Sequence, residues 1–168
     1  MTLEGIKQGL SSFWDSVAEG WHRLRQSAAS ALTGFKPGED AGLPEKSEVD
    51  DEFYLPAQGW SMLGGDVFED DKKLVVRLEV PGMDKQDFEV AVQGDVLVVS
   101  GEKHFEREST EGRYRVLQCA YGNFRRVVPL PAPVLSDKAK ANYRNGVLRI
   151  ELPKASIGKP RKLTVDVT

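Results

Sequence analysis

Apolar residues recur along this chain with two different periods. From Ile6 to Leu32 the steps are three and four, so Leu10, Trp14, Val17, Trp21, Leu24, Ala28 and Ala31 fall on one stripe of a helix. Phe13 widens the stripe, and Glu19 with Arg23 makes a favourable i, i+4 pair on the polar side. Gly34 is placed to cap that helix and Pro37 forbids its continuation, while Phe35 carries apolar character past the cap.

From Asp66 onward the period is two. Leu74, Val76, Leu78 and Val80 alternate with Lys73, Val75, Arg77 and Glu79, and Phe88, Val90 and Val92 alternate with Glu89, Ala91 and Gln93. Val96 to Ser100 is an apolar run suited to a strand covered on both sides. Tyr114–Cys119 and Phe124–Leu130 predict further strands. Turn residues separate them: Pro81 presets φ at one corner and Gly82 can take φ > 0 at the next, and Gly94-Asp95 makes a second turn.

The last strand pair is the most sharply written. Ala139, Ala141 and Tyr143 alternate with Lys140, Asn142 and Arg144, and Leu148, Ile150 and Leu152 alternate with Arg149 and Glu151. Asn145-Gly146 between them is a two-residue hairpin signal, since a type I′ turn needs φ > 0 at both central residues. Pro153 ends the strand because it has no N–H for the ladder. Several short strands with turns between them and no long helix predict an all-β, immunoglobulin-like antiparallel β-sandwich.

Three stretches lack either period. Pro37 to Glu52 is acidic and rich in Pro and Gly, and reads as a solvated linker. Phe53, Tyr54, Leu55, Trp60, Met62 and Leu63 form an apolar patch that suits either a sticky segment or a cover for a sheet edge. Ala155 to Pro160 reads as a flexible spacer, after which Leu163 and Val165 lie two apart on one face of an extended tail. The resulting division is 1–36 helical arm, 37–65 linker and apolar patch, 66–153 sandwich, and 154–168 tail.

Composition narrows the function. The 168 residues suit one domain of about 100 residues plus arms. A net charge of −3 gives no overall drive toward nucleic acid. One cysteine, Cys119, excludes an internal disulfide framework and fits a reducing compartment, as a buried or interface thiol. No apolar run approaches the roughly 20 residues that span a bilayer, and MTLEGIKQGL lacks the pattern of a signal peptide, so a cytoplasmic location is expected.

Catalytic chemistry has little to stand on. His22 and His104 sit in no motif with Cys119, and no G-x-x-x-x-G-K-[ST] phosphate loop exists. Asp66, Glu69, Asp70 and Asp71 read as a solvated turn rather than a metal site. Arg125-Arg126 beside Phe124 is weak support for nucleic acid in an acidic chain. The expectation is a non-enzyme with no cofactor and no metal.

Ala141-x-x-x-Asn145-Gly146-Val147-Leu148, with LVVRLEVPGM, DFEVAVQGDVLVVSGEK, the charged loop, Phe124-Arg125-Arg126 and Leu130-Pro131, resembles the alpha-crystallin/small heat-shock protein family of bacterial and plant type. The resemblance covers Asp66 to Pro153. It implies an ATP-independent holdase that binds partly unfolded proteins and assembles from homodimers into larger homo-oligomers. It further implies that the Lys103–Gly112 loop carries Tyr114, Arg115, Val116, Leu117 and Cys119 out to pair with Asp66, Val67 and Phe68 of a partner. The stretch Leu117-Gln118-Cys119-Ala120 departs from the charged residues many relatives carry there.

Leu163-x-Val165 is similar to the family's I-x-I/V tail anchor, with Leu in first place. The resemblance implies docking between the Phe88–Val92 strand (Phe88, Val90, Val92) and the Lys138–Tyr143 strand (Ala139, Ala141, Tyr143) of a neighbour. Burying two aliphatic side chains gives a gross gain of about 3–6 kcal/mol, much of it offset by ordering and association entropy. Such a tail binds reversibly.

Client contacts fall to exposed apolar residues. The candidates are Phe13, Trp14, Val17, Trp21, Leu24 and Phe35, with Trp60 and Leu63 in the patch. Two rival readings stand beside the chaperone. One is a monomeric β-sandwich adaptor of co-chaperone type, and the other a membrane-surface stabiliser using the arm. Against the second, the polar face mixes Asp15 and Glu19 with Arg23 and Arg25 where interfacial helices are more uniformly basic.

Overall fold

A computed structural model of the chain describes residues 30–155. The chain divides into two compact units after Leu32, and the sandwich belongs to the second. The residues expected on the arm (Phe13, Trp14, Val17, Trp21, Leu24) and on the tail anchor (Leu163, Val165) lie outside the described residues.

Nine strands run through the described residues: β1 Leu32–Lys36, β2 Gly59–Met62, β3 Gly65–Glu69, β4 Lys73–Glu79, β5 Phe88–Gln93, β6 Val96–Lys103, β7 Gly122–Pro129, β8 Lys140–Arg144 and β9 Val147–Pro153. They form a five-stranded sheet in the order β2-β1-β7-β6-β5 and a four-stranded sheet in the order β3-β4-β9-β8. The two antiparallel sheets bear out the all-β sandwich.

The alternation decides which side chains fill the space between the sheets. Leu74, Val76 and Leu78 of β4 stand opposite Leu152, Ile150 and Leu148 of β9, and all six are buried. Leu97, Val99, Phe124 and Val128 line the facing sheet. Leu97, Val98 and Val99 are all buried, as the continuous run predicts for a strand covered on both faces. Residues two apart share a face, so one register satisfies both strands of each pair.

The two turn signals meet. Asn145 has φ 52° and Gly146 φ 77°, as a type I′ turn requires. The Val80 N–H, just before Pro81-Gly82, donates to the Gly146 carbonyl at 2.9 Å. A Cβ on Gly146 would stand 3.3 Å from that of Pro81. The closing hairpin is therefore seated against the end of β4.

Three local expectations are corrected. Gly34 caps no helix. It lies in the middle of β1, with the Trp60 ring over it: a Cβ there would meet ring carbons from 3.4 Å. Extended backbone at this point turns Phe35 into the core against Phe124, with ring centroids 5.0 Å apart, and that burial overrides the cap signal. The expected strand Tyr114–Cys119 is not formed, since only Tyr114 makes a bridge, parallel to Val49. Cys119, expected buried or at an interface, is exposed in the single chain.

Candidate functional site

The described residues present three surfaces that bear on function. Among the described residues, no group of three or more His, Cys, Asp or Glu side chains is placed to hold a metal ion. None of the described helices is long and apolar enough to cross a membrane.

The first surface lies between β5 and β8. These strands end different sheets, yet the sandwich brings them to one side, where the rings of Phe88 and Tyr143 stand 4.9 Å apart. Phe88 also meets Phe124 edge-on at 6.5 Å. The Tyr143 hydroxyl donates to the Val80 carbonyl at 2.8 Å, so its ring is held at both ends. Val90 and Val92 are half-buried against the core, leaving part of each side chain accessible. Ala141 is exposed on β8, and Ala139 lies just before β8, also exposed. The β8 lip thus carries small, exposed side chains.

The second surface is β3. It pairs with β4 alone and ends its sheet, so its outer N–H and C=O groups face outward. Val67 and Phe68 are 44% and 57% exposed, which leaves an apolar edge where proteins usually place charge. Asp66 and Glu69 are the charged groups at either end. Asp70, in the following turn, accepts the N–H groups of Lys72 and Lys73 at 2.8 Å each, and these hold its carboxyl below the usual carboxylate range. That is a turn-closing role, as the sequence pattern suggested.

The third surface is the apolar patch. Trp60 and Met62 of β2 are exposed, as are Phe53 and Leu55 before it. A groove of about 390 Å³ runs beside Trp60, with Phe35, Gly59, Phe124 and Arg125 among its walls. Phe35 and Leu63, grouped with these residues by sequence, are only 2% exposed and belong to the core. Neither is accessible to a client in this conformation. Strand alternation sends them inward where the linear patch could not distinguish faces.

Sequence reasoning weighed Arg126 only as a weak nucleic-acid signal and missed its burial. On β7, Phe124 and Val128 point inward, and Arg126 shares their face. Its Nε is buried and has no hydrogen-bond partner among the described residues, and burial pushes the guanidinium down from its ordinary value. Guanidinium stays charged in proteins, so the donor demands an acceptor. The alternation Phe124-x-Arg126-x-Val128 was the available signal.

Similarity to known proteins agrees with this geometry. The profile of the Hsp20/alpha crystallin family matches residues 66–168, and the chain belongs to that family. It is 32% identical over 100 residues to small heat shock protein C2 of Rickettsia felis, covering 60% of this chain and 65% of that one. It is 37% identical over 99 residues to heat shock protein 16 of Schizosaccharomyces pombe, covering 58% and 69%. The chain thus spans about two thirds of the length of these relatives. Among solved structures, heat shock protein 16.0 from Schizosaccharomyces pombe superposes with a TM-score of 0.53 at 34% identity, over 63% of this chain and 97% of that one.

Proposed function

We propose that the protein is an ATP-independent holdase chaperone, which binds partly unfolded proteins through exposed apolar surface and prevents their aggregation under stress. The observation that carries this reading is the run from Phe53 to Met62, where Phe53, Leu55, Trp60 and Met62 stand exposed beside a sheet edge of a small heat-shock fold. Contiguous apolar surface of this kind marks an interaction site. Flexible apolar contact imposes little shape selection, which suits a binder of many unfolding chains. Phe13, Trp14, Val17, Trp21 and Leu24 are further client contacts in the proposal.

The chain assembles with copies of itself and works in the cytoplasm. Residues Tyr114–Cys119 of one subunit pair with the β3 edge of another, and Leu163 with Val165 docks in the β5–β8 groove of a third. The free edge at β3 supports the first contact, since a partner strand supplies hydrogen bonds to its outer backbone groups. The Phe88–Tyr143 floor with its small-residue lip supports the second.

Thermal aggregation of a heat-labile enzyme, followed by light scattering, tests the reading. Equimolar chain is expected to suppress the scattering without ATP, and Trp60→Ala to weaken suppression. No suppression at any ratio, before or after a temperature shift, would sink the proposal. A single-subunit mass by size exclusion with light scattering would instead favour the adaptor.

A further inference from the structure

The stretch read as a solvated acidic linker is ordered against the long loop. Its own shape is closed by short-range bonds. Glu45 N–H donates to the Glu48 carboxylate at 2.7 Å, Lys46 Nζ reaches the carbonyls of Asp51 and Glu52 at 2.6 and 2.7 Å, and the buried Tyr54 hydroxyl donates to the Pro44 carbonyl at 2.6 Å. This shaped segment then takes hold of the loop. The Asp50 N–H donates to the Tyr114 carbonyl at 3.1 Å, within the parallel bridge from Val49. The Asp50 carboxylate receives Arg113 Nε at 2.7 Å and also Arg115. Arg113 reaches the Ser47 carbonyl at 3.0 Å, and Arg107 lies 3.4 Å from Glu48.

The loop is folded on its own side too. Phe105 and Tyr114, from its two arms, have ring centroids 5.8 Å apart, and the Tyr114 hydroxyl accepts the Glu108 N–H at 2.9 Å. Between Tyr114 and β7 the chain makes no strand, and Val116 remains exposed.

We propose that residues 45–52 are an electrostatic clasp that keeps the loop on its own subunit, and that releasing it sets how fast Tyr114–Cys119 joins the β3 edge of a second copy. This rests on the strand-exchange contact proposed above. The clasp occupies the Tyr114 carbonyl and both flanking arginines, so the segment cannot straighten along another strand while Asp50 holds it. Three carboxylate–guanidinium contacts at the surface are individually weak, which makes the device reversible. They are also screened: the Debye length falls from about 10 Å at 0.1 M salt to about 3 Å at 1 M. Ionic strength is therefore its lever. The Arg113 and Arg115 guanidiniums hold Asp50 below the usual carboxylate range, so the clasp stays charged at neutral pH.

The test uses the full chain and two readouts, at about 0.05 and about 0.5 M sodium chloride, a range over which screening tightens several-fold. Trypsin cleavage after Arg113 and Arg115 reports the clasp, and mixing of isotopically heavy and light chains by native mass spectrometry reports exchange. In wild type both rates should rise several-fold with salt. Asp50→Asn should raise both at low salt and flatten the salt response, with Glu48→Gln acting the same way but less. Unchanged cleavage in Asp50→Asn overturns the clasp. Faster cleavage with unchanged or slower mixing overturns its role as a brake. Chains that remain single subunits under every condition overturn the strand-exchange reading, and the brake with it.

Discussion

Phe35→Ala separates two roles for a residue whose sequence position suggested one and whose structure assigns another. In the sandwich Phe35 is 2% exposed, paired in register with Phe124 on β7, with the two rings tilted 38° against each other. Removing a fully buried phenylalanine costs about 3–5 kcal/mol, including the cavity left behind. Of this, about 0.5–1.5 kcal/mol reflects the aromatic pair. At a few degrees per kcal/mol for a domain of this size, the melting temperature should fall by about 10–20 °C. There is a limit on the loss. β1 meets β7 at Phe35↔Phe124 and Lys36↔Asn123 and β2 on its other side, so release of the β1–β2 edge as a unit is the alternative to global unfolding. Amide hydrogen exchange distinguishes the two outcomes, because local release deprotects β1 and the facing edge of β7 while β4 and β9 stay protected. Either pattern agrees with a core role. Unchanged melting and unchanged exchange, together with weaker suppression of client aggregation, would refute it and return Phe35 to the client surface.

Gly122→Ala should release β1 without touching Phe35, because Gly122 has φ 106° and a Cβ there would run into the Lys36 carbonyl; exchange of the β1 amides checks this. Arg126→Met removes a buried donor that has no partner among the described residues, so it should stabilise the subunit by about 1 kcal/mol, read by urea denaturation. Leu163→Ala with Val165→Ala should reduce the assembly to dimers, and an unchanged mass would defeat tail docking. Arg149 and then Lys73 hold Glu151 below the usual carboxylate range, as the Lys72 and Lys73 N–H groups do for Asp70. Depressed native values mean that this stability is present above the unfolded values of about 4 and is lost as pH falls through the native ones. The urea midpoint should therefore be flat from about pH 7 to 5 and fall below about pH 4. A decline already complete by pH 5 would contradict the assignment.

What the sequence by itself determined was local. Alternation wrote the inward faces of β4, β5, β8 and β9, since side chains two apart share a face whatever the strand's neighbours. Asn145-Gly146 and Pro81-Gly82 specified their turns because the φ values are properties of those residues. The strand faces that carry Phe88, Val90, Val92, Ala141 and Tyr143 were legible one strand at a time. Only the tertiary structure brought β5 and β8 to one side, because each is hydrogen-bonded only to the next strand in sequence, in a different sheet, and their approach comes from how the two sheets stack. Gly34 and Phe35 carry cap and apolar signals that suit a helix end as well as a strand, and the cavity beside Phe124 chose the strand. Leu63 went inward for the same reason. The acidic stretch from Pro37 read as linker because its partners, Arg107, Arg113 and Arg115, lie some sixty residues away. Tyr114–Cys119 has a strand's pattern, but a strand needs a neighbouring backbone. Within one chain only Val49 supplies one, at Tyr114.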